Sequence, residues 1–331
     1  MTSVPDIQEK DLGITDSLGG GADGEVYRVA SDKTSVYKRF HPHVLKEVNE
    51  IGLVDTIACL SEFDPSVRSY VISQTAWPHT LVRRGRQVVG FLMPLVGKQY
   101  FSRLGRKDDT STSPNDWNRL AFIKKTQENP NLVSDLPEMH LDEYRLDRLN
   151  LCRELSAVFA VLHEKDVIVG DVSGRNILWA PPTANRVLLI DCDGIRKSGK
   201  ATVTKGKQSP DWFDPFLTGE TTIHSDLYKL SLAIYRGYFT ASNAHPPTAT
   251  PTTIDQVDKQ LLEFCRKGVA EKDRPTASDW VTETTALIKQ VEDIIRFDGR
   301  PPIDWRNETS PATSVVPTAP TKKRPEMDWR Q

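Results

Sequence analysis

The chain has 331 residues, of which 38% are hydrophobic and 27% are charged, as in an ordinary globular protein with one large domain or two smaller ones. Its formal net charge of -2 gives no global electrostatic reason to expect nucleic acid or an anionic membrane as a partner. The opening residues, MTSVPDIQEKDLG, carry no basic-then-apolar leader, and no uninterrupted apolar run is long enough to span a bilayer. We therefore expect a cytoplasmic protein with neither a nucleic acid nor a membrane as partner.

The first part of the chain is predicted to be rich in strands. Residues 14–40 alternate like a meander of short strands around a glycine cluster, and residues 80–96 contain two apolar runs that flank an Arg-Gly turn. Between them, residues 44–60 have the spacing of an amphipathic helix. The stripe of this helix is predicted to comprise Val44, Val48, Ile51, Val54 or Asp55, and Ala58.

The later part is predicted to be helical. A short helix is expected in WNRLAFIKKTQ, and a long one in LDEYRLDRLNLCRELSAVFAVLHEKD, with Leu151, Leu155, Val158 and Leu162 on one face. Further helices are predicted over 226–240 and 254–268 and in RPTASDWVTETTALIKQVEDIIRF, where Thr276 or Ser278 supplies the N-terminal cap. Residues 298–331, rich in Pro and Thr, are predicted to be disordered.

The cysteines indicate neither disulfides nor a zinc site. Four of them are scattered without a CxxC pair, so we predict buried thiols. They are Cys59, Cys152, Cys192 and Cys265.

The stretch LGGGADGEV spaces Gly19, Gly21 and Gly24 as a loop that could receive phosphate. Glycine allows positive φ and lets backbone N–H groups approach an anion, although a glycine-rich hairpin turn without any ligand is an equally good interpretation. Lys38 follows in SVYKRF, where it shares a strand face with Val36. If that face is buried, Lys38 needs an anionic partner; otherwise it is an ordinary surface lysine.

Acidic and amide side chains gather near the middle of the sequence. Asp171 and Asn176 lie in VIVGDVSGRNILW, and Asp191 opens DCDGIR after an apolar run. Carboxylates beside buried strands are costly unless a cation compensates them, and a set of oxygen ligands suits Mg²⁺. These residues therefore predict a magnesium site.

Taken in order, these motifs resemble those of bacterial members of the eukaryotic-like Ser/Thr protein kinases, over residues 12–297. "SPDWFDP" resembles the end of that family's activation segment, Asp226 its following helix aspartate and Arg274 its late structural arginine. The resemblance implies an α+β, bilobal kinase-like fold with a small strand-rich lobe over about 12–96 and a larger helical lobe over about 97–297. Residues 1–11 would then be an N-terminal extension.

The resemblance also implies a role for each matched residue in a transfer of phosphate from ATP, with Mg²⁺, to Ser or Thr of a protein substrate. Asp171 would be the general base, Lys38 would hold phosphates, and Glu50 or Glu47 would align Lys38. Asn176 and Asp191 would bind magnesium, with Asp193 as an alternative. The nucleotide-binding set would be Gly19, Gly21, Gly24, Val26, Lys38, Met93 and Leu95.

Several positions depart from the family pattern. Gly170 replaces the arginine before the catalytic aspartate, which argues against switching through that arginine, and Ser173 replaces the lysine two residues after it; Arg175 is the nearest cation in sequence. Phe216 occupies the position of the final glutamate of the activation segment, so Arg274 would need Asp214 as its partner. Candidate sites of self-phosphorylation are Ser198, Thr202 and Thr204.

These departures leave three functions open. The first is an active Ser/Thr protein kinase, the second a small-molecule phosphotransferase similar to aminoglycoside and choline kinases, and the third a pseudokinase that binds nucleotide as a scaffold. In each case no sensor domain is recognisable in the sequence, so any regulatory input is expected from a soluble partner or ligand.

Overall fold

The computed structural model describes residues 4–106, 111–120, 132–134, 141–181, 186–204, 209–239 and 243–297. The chain is mixed α+β and divides into two compact units. We call residues 4–48 and 78–95 the strand unit, and residues 49–77 and 96–297 the helical unit. The predicted helix in WNRLAFIKKTQ falls partly, and the predicted disordered tail entirely, outside the described residues.

The strand unit is built on one sheet, which has six strands within the described residues. In chain order the strands are β1 (Asp6–Gln8), β2 (Ile14–Gly20), β3 (Gly24–Val29), β4 (Ser35–Phe40), β5 (Thr80–Arg84) and β6 (Gln87–Pro94). Across the sheet the order is β1-β5-β6-β4-β3-β2, and the neighbours are antiparallel except for the parallel pair β1 and β5. The predicted strands over 14–40 and 80–96 are confirmed.

A cluster of apolar side chains is buried against the sheet. Leu12, Tyr37 and Val82 are fully buried in it. The other buried members are Val29, Val89 and Leu92. These side chains come from β3, β4, β5 and β6 and from Leu12, which precedes β2, so their packing joins most of the strands of the sheet.

The helical unit contains six α-helices within its described residues. They are α1 (Glu50–Cys59), α2 (Pro65–Gln74), α3 (Leu141–Glu164), α4 (Ile223–Phe239), α5 (Gln256–Gly268) and α6 (Ala277–Phe297). Helix α3 packs against α6 and α4, and α5 packs against α4 and α6. Among the described residues, no helix has both the length and the apolar character needed to cross a membrane.

Four two-stranded ladders complete the described part of this unit. They pair β7 (Phe101–Ser102) with β9 (Ser113–Pro114), β8 (Leu104–Arg106) with β10 (Leu132–Ser134), β11 (Val167–Ile168) with β14 (Arg196–Lys197), and β12 (Ile177–Trp179) with β13 (Val187–Leu189). The ladders β11–β14 and β12–β13 flank the loops that carry the predicted acidic residues.

The structure confirms the predicted face of α3, because Leu151, Leu155, Val158 and Leu162 are all fully buried. It also confirms that Thr276 caps α6. The Thr276 hydroxyl accepts a hydrogen bond from the Asp279 backbone N–H at 3.1 Å, and the Asp279 carboxylate accepts one from the Thr276 N–H at 2.8 Å. This reciprocal pair is a capping box. All four cysteines are free and buried, as predicted.

The predicted helix over 44–60 needs correction. A 3₁₀ turn occupies Val44–Lys46, and the α-helix begins only at Glu50, where Asn49 caps it by accepting a hydrogen bond from the Gly52 N–H. The predicted stripe is wrong at Ile51, which is 70% exposed. Helix α2 was not predicted, because its ten residues bury only Val71 and Gln74 and show no apolar stripe.

Candidate functional site

The predicted glycine loop joins β2 and β3 in the strand unit. Gly19 has a φ of +132°, a conformation that L side chains rarely adopt. A Cβ on Gly24 would lie 2.3 Å from the carbonyl oxygen of Arg39, so only glycine allows β3 to approach β4 this closely. Gly21 lies in the turn, where the His41 ring nitrogen Nε2 is hydrogen-bonded to its carbonyl oxygen at 2.9 Å.

Lys38 lies on β4 in one row of the sheet with two of the predicted nucleotide-binding residues. Gly19 pairs with Val26, Val26 pairs with Lys38, and Lys38 pairs with Phe91 on β6. Lys38 is 5% exposed, and its Nζ lies 5.6 Å from the centroid of the Phe91 ring. The buried alternative for Lys38 is therefore the observed one.

The remaining predicted residues of the strand unit lie at the end of β6. Met93 pairs with Val36 of β4, and the Leu95 N–H donates a hydrogen bond to the Thr34 carbonyl at 2.8 Å. Glu47 is exposed in the same unit, whereas Glu50 is exposed at the first residue of α1 in the helical unit. The pairing of Lys38 with either glutamate stays a prediction.

In the helical unit, the structure brings Asp171, Asn176 and Asp191 together at one pocket. Asp171 follows β11, Asn176 directly precedes β12, and Asp191 follows β13, so the two ladders position all three side chains. The other lining residues are almost all apolar, and they are Val169, Val172, Ile177, Leu189, Ile190, Cys192 and Ile195.

Asp171 is held by two hydrogen bonds to its carboxylate. The Asn176 side-chain amide donates to Oδ2 at 3.2 Å, and the Ser209 hydroxyl donates to Oδ1 at 3.1 Å. Burial raises the pKa of Asp171, and the negative charge of Asp191 raises it further. Lys229, Ser209 and Asn176 oppose that rise in pKa by favouring the ionised carboxylate.

Asn176 is held by hydrogen bonds from both its side chain and its backbone. Its amide nitrogen also donates to the Asp171 carbonyl at 2.9 Å, and its own carbonyl accepts from the Ile190 N–H at 2.9 Å. Because the side-chain nitrogen points to Asp171, the side-chain oxygen is the atom that Asn176 would offer to a cation.

Asp191 and Asp193 occupy different environments. Asp191 has a left-handed backbone, with φ 59° and ψ 44°, and lines the pocket. Asp193 lies in the following 3₁₀ turn with 6% exposure and is not part of the pocket lining. Cys192 is buried between them, and its Sγ contacts the Leu189 carbonyl at 3.3 Å. Of the two aspartates, Asp191 is therefore the one that shares the pocket with Asp171 and Asn176.

The donor set at the pocket fits Mg²⁺. Two carboxylates and one amide oxygen are hard ligands, and Mg²⁺ is usually held by one or two carboxylates together with water and phosphate oxygens. Within the described residues, no group of three or more His, Cys, Asp or Glu side chains could hold a metal ion by itself.

The loop that carries Asp171 is anchored to α4 through Asp226. This aspartate is fully buried, and its carboxylate accepts hydrogen bonds from the Val169 N–H at 2.6 Å and the Gly170 N–H at 3.0 Å. The His163 ring nitrogen Nε2 lies 3.3 Å from the same carboxylate.

The end of the predicted activation segment is anchored by an ion pair. The Arg274 guanidinium donates to both carboxylate oxygens of Asp214, at 2.6 and 3.0 Å, and both side chains are almost fully buried. Asp214 is thus the partner of Arg274 in place of the missing glutamate, as predicted from the sequence.

Two residues at this site were not identified from the sequence. Ser209 opens the motif SPDWFDP, but its spacing gives no indication of a bond to Asp171, 38 residues earlier. The second is Lys229, for which a lone lysine in the largely apolar run LYKLSLAIY is a usable signal of a buried charge with a specific partner.

No family model matches the chain. It is similar to two curated proteins, both named Protein kinase YegI. The protein from Escherichia coli strain K12 is 25% identical over 329 residues, which covers 84% of this chain and 45% of the relative. The protein from Escherichia coli O157:H7 is 25% identical over 251 residues, which covers 72% of this chain and 33% of the relative. The chain thus spans less than half the length of these relatives, and the distant similarity supports a kinase-like family.

Proposed function

We propose that this chain is an ATP-dependent protein kinase that transfers the γ-phosphate of Mg-ATP to Ser or Thr hydroxyl groups of protein substrates, on a bilobal kinase-like fold. The observation that carries this proposal is the pocket where Asp171, Asn176 and Asp191 meet and where Asp171 already accepts a hydrogen bond from a serine hydroxyl. The similarity to proteins named as protein kinases supports the same reaction class.

Asp171 acts as the general base in this proposal. The acceptor hydroxyl oxygen forms a bond to the γ-phosphorus while the bond from that phosphorus to the β–γ bridging oxygen breaks, and ADP leaves. The hydroxyl proton passes to the Asp171 carboxylate, which must lie within hydrogen-bond reach of the acceptor. The Ser209 hydroxyl, at 3.1 Å from Oδ1, shows that this carboxylate can receive a hydroxyl donor.

Asn176 and Asp191 would hold Mg²⁺, which when bound supplies charge neutralisation at the phosphate oxygens. In the strand unit, Lys38 would bind phosphate oxygens, with Glu50 or Glu47 as its aligning partner. The glycine loop would offer backbone N–H groups to the phosphates. Glycine is required at Gly19 because of its positive φ, and at Gly24 because β4 lies too close for a Cβ. Val26, Met93 and Leu95 would contact the base and sugar.

A protein acceptor is favoured over a small metabolite by the segment around Ser209. This segment contains Trp212 and Asp214, the latter anchored by the buried Arg274, and it presents a hydroxyl to Asp171 as part of a polypeptide. Phe213 and Phe216 are 51% and 46% exposed there, which leaves apolar surface for an extended peptide.

Incubation of the chain with γ-labelled ATP, MgCl₂ and dephosphorylated casein tests the proposal. Label is expected on casein or on the chain itself. The variant Asp171→Asn, which lacks the base, is expected to incorporate label at least about a hundredfold more slowly. Asp293→Asn is the matched control. Asp293 is exposed on α6, and its ion pair with Arg296 is long, at 4.0 Å, so that losing the charge should have little effect.

The alternatives give different results in the same assay. Label that appears only on an added aminoglycoside or choline would indicate a small-molecule phosphotransferase. Binding of Mg-ATP without transfer to any acceptor would indicate a nucleotide-binding scaffold and refute the kinase activity.

A further inference from the structure

Lys229 is a buried cation beneath the loop that carries Asp171. It lies in the middle of α4 with no exposed surface, and its Nζ donates a hydrogen bond to the Gly170 carbonyl at 2.7 Å. A lysine without solvent contact is costly unless its ammonium has acceptors and opposite charges near it. Lys229 therefore has a specific reason to occupy this position.

Lys229 and Asp226 hold opposite sides of the same residue. They are three positions apart on α4 and so share one face of the helix. Asp226 accepts from the Gly170 N–H at 3.0 Å, and Lys229 donates to the Gly170 C=O. That carbonyl belongs to the peptide group whose nitrogen is the backbone nitrogen of Asp171. Lys229 thus fixes the peptide plane from which Asp171 extends, and Asp226 fixes the peptide plane before it.

Gly170 needs such support because of its conformation. Its φ is +81°, and a Cβ at this position would lie 3.1 Å from the Gly194 carbonyl oxygen. Glycine has more conformations to lose than any other residue, so holding it in one of them requires contacts on both sides. The bond from Lys229 supplies the contact on the carbonyl side.

The charge of Lys229 also acts on the carboxylates around it. Burial lowers its pKa, whereas Asp226, Asp171 and Asp214 oppose that change and favour the ammonium form. In the sequence, Ser173 stands where the resembled family has a lysine. Burial raises the pKa of Asp116, and the positive charge of Arg175, the nearest cation in sequence, is one of the influences that oppose this rise.

We propose that Lys229 is a positioning residue, which fixes the peptide between Gly170 and Asp171 and thereby aims the Asp171 carboxylate. Because its side chain has no exposed surface, it acts through the loop and not by touching substrate. This role rests on the proposed function, since it assigns Lys229 to the same reaction.

Amide hydrogen exchange of the full chain without nucleotide tests the loop directly. Lys229→Met keeps the length of the side chain and removes the ammonium, and it is expected to speed exchange at Gly170 and Asp171 about ten- to a hundredfold. That range corresponds to losing a hydrogen bond from a charged donor. Ser231→Ala is the matched control, because Ser231 is equally buried on α4 but donates to Leu227 of its own helix. It is expected to leave loop exchange unchanged.

Kinetics of the same variants distinguish a role in positioning Asp171 from a merely structural role of Lys229. Lys229→Met is expected to lower kcat about ten- to a hundredfold with KM for Mg-ATP within about twofold of the parent, since aiming the base matters in the transfer step. Lys229→Arg keeps a buried charged donor and is expected to recover most of both the exchange protection and kcat.

Unchanged loop exchange in Lys229→Met, or an equal increase in Ser231→Ala, would overturn the proposal. If the methionine variant does not fold, Lys229→Ala replaces it, because the smaller side chain leaves room for water at the Gly170 carbonyl. If neither variant folds, Lys229 is needed for folding of the whole unit, and the positioning role is refuted. The exchange readout needs no phosphate transfer. A parent chain that transfers nothing would therefore refute the proposed function, while the exchange data would still decide the role of Lys229 in the loop.

Discussion

Asp191 and Asp193 differ in what their backbones and surroundings allow. A left-handed backbone at a residue other than glycine costs about 1–3 kcal/mol and is kept where neighbouring structure requires it. Asp191 has this conformation and lines the pocket, whereas Asp193 is buried in the 3₁₀ turn beyond it.

The two aspartates can be distinguished by magnesium-dependent nucleotide binding. Asp191→Asn is expected to weaken Mg-ATP binding at least about tenfold in calorimetry, because the ion then has one negatively charged ligand fewer. Asp193→Asn, checked for folding by its thermal melt, is expected to change the affinity less than about threefold. The reverse order would assign the metal to Asp193.

The ion pair between Asp214 and Arg274 provides a second prediction at the level of single residues. Both side chains are nearly fully buried, and removing one partner leaves the other as an uncompensated charge. Arg274→Met is expected to lower the free energy of unfolding by about 3–5 kcal/mol in urea titrations. Arg296→Met, at an exposed pair, should cost less than about 1 kcal/mol. Equal losses would show that Asp214 is solvated or otherwise compensated.

Helix α1 is hydrogen-bonded at two points to the segment that follows Asp191. The Thr56 hydroxyl donates to the Ile195 carbonyl at 2.8 Å, and the Asn49 N–H donates to the Val203 carbonyl at 2.7 Å. Thr202, a candidate for self-phosphorylation, lies against Gly52 of the helix. Any modification that moved this segment would therefore act on α1.

Gly52→Ala tests this packing. Alanine in a helix is normally favoured over glycine by about 1 kcal/mol. Here the added Cβ would lie 2.8 Å from the Thr202 carbonyl oxygen and 2.9 Å from that of Ala201, both of which are backbone atoms. We expect the variant to be destabilised by about 1–3 kcal/mol in chemical unfolding, as for an overpacked core.

Gly21→Ala serves as the stability control for that variant. A Cβ at Gly21 would meet no atom within 4 Å, so its free energy of unfolding should stay within about 0.5 kcal/mol of the parent. A stabilised Gly52→Ala variant would show that α1 is not packed closely on residues 201–202.

For the whole molecule, binding of Mg-ATP should appear as thermal stabilisation. A ligand present at a hundred times its Kd stabilises the folded state by about 2.7 kcal/mol, so the melting temperature should rise with ATP and MgCl₂ and fall back when EDTA is added. Asp191→Asn should show a reduced, metal-independent shift. An equal shift with and without Mg²⁺ would argue against Asn176 and Asp191 as metal ligands.

Predictions from sequence succeeded where a local pattern had one structural outcome. The spacing of Leu151, Leu155, Val158 and Leu162 leaves a single helix face on which to bury these side chains, and all four are buried. The prediction failed at Ile51, whose spacing fits a buried stripe, because the helix buries Gly52 against residues 201–202 and leaves Ile51 exposed. The face that a short helix buries depends on its neighbour, which its own residues do not specify.

The sequence by itself determined that the chain is mixed α+β, where its long helices and strands lie, and which oxygen-bearing side chains belong to one chemistry, because these follow from periodicity and from the order of motifs. Only the tertiary structure decided that Asp171, Asn176 and Asp191 share a pocket, that Ser209 bonds to Asp171, and that Lys229 supports Gly170 from α4. The physical reason is separation along the chain. Lys229 and Gly170 are 59 residues apart, and a hydrogen bond over that distance exists only when packing of the intervening elements brings its donor and acceptor together.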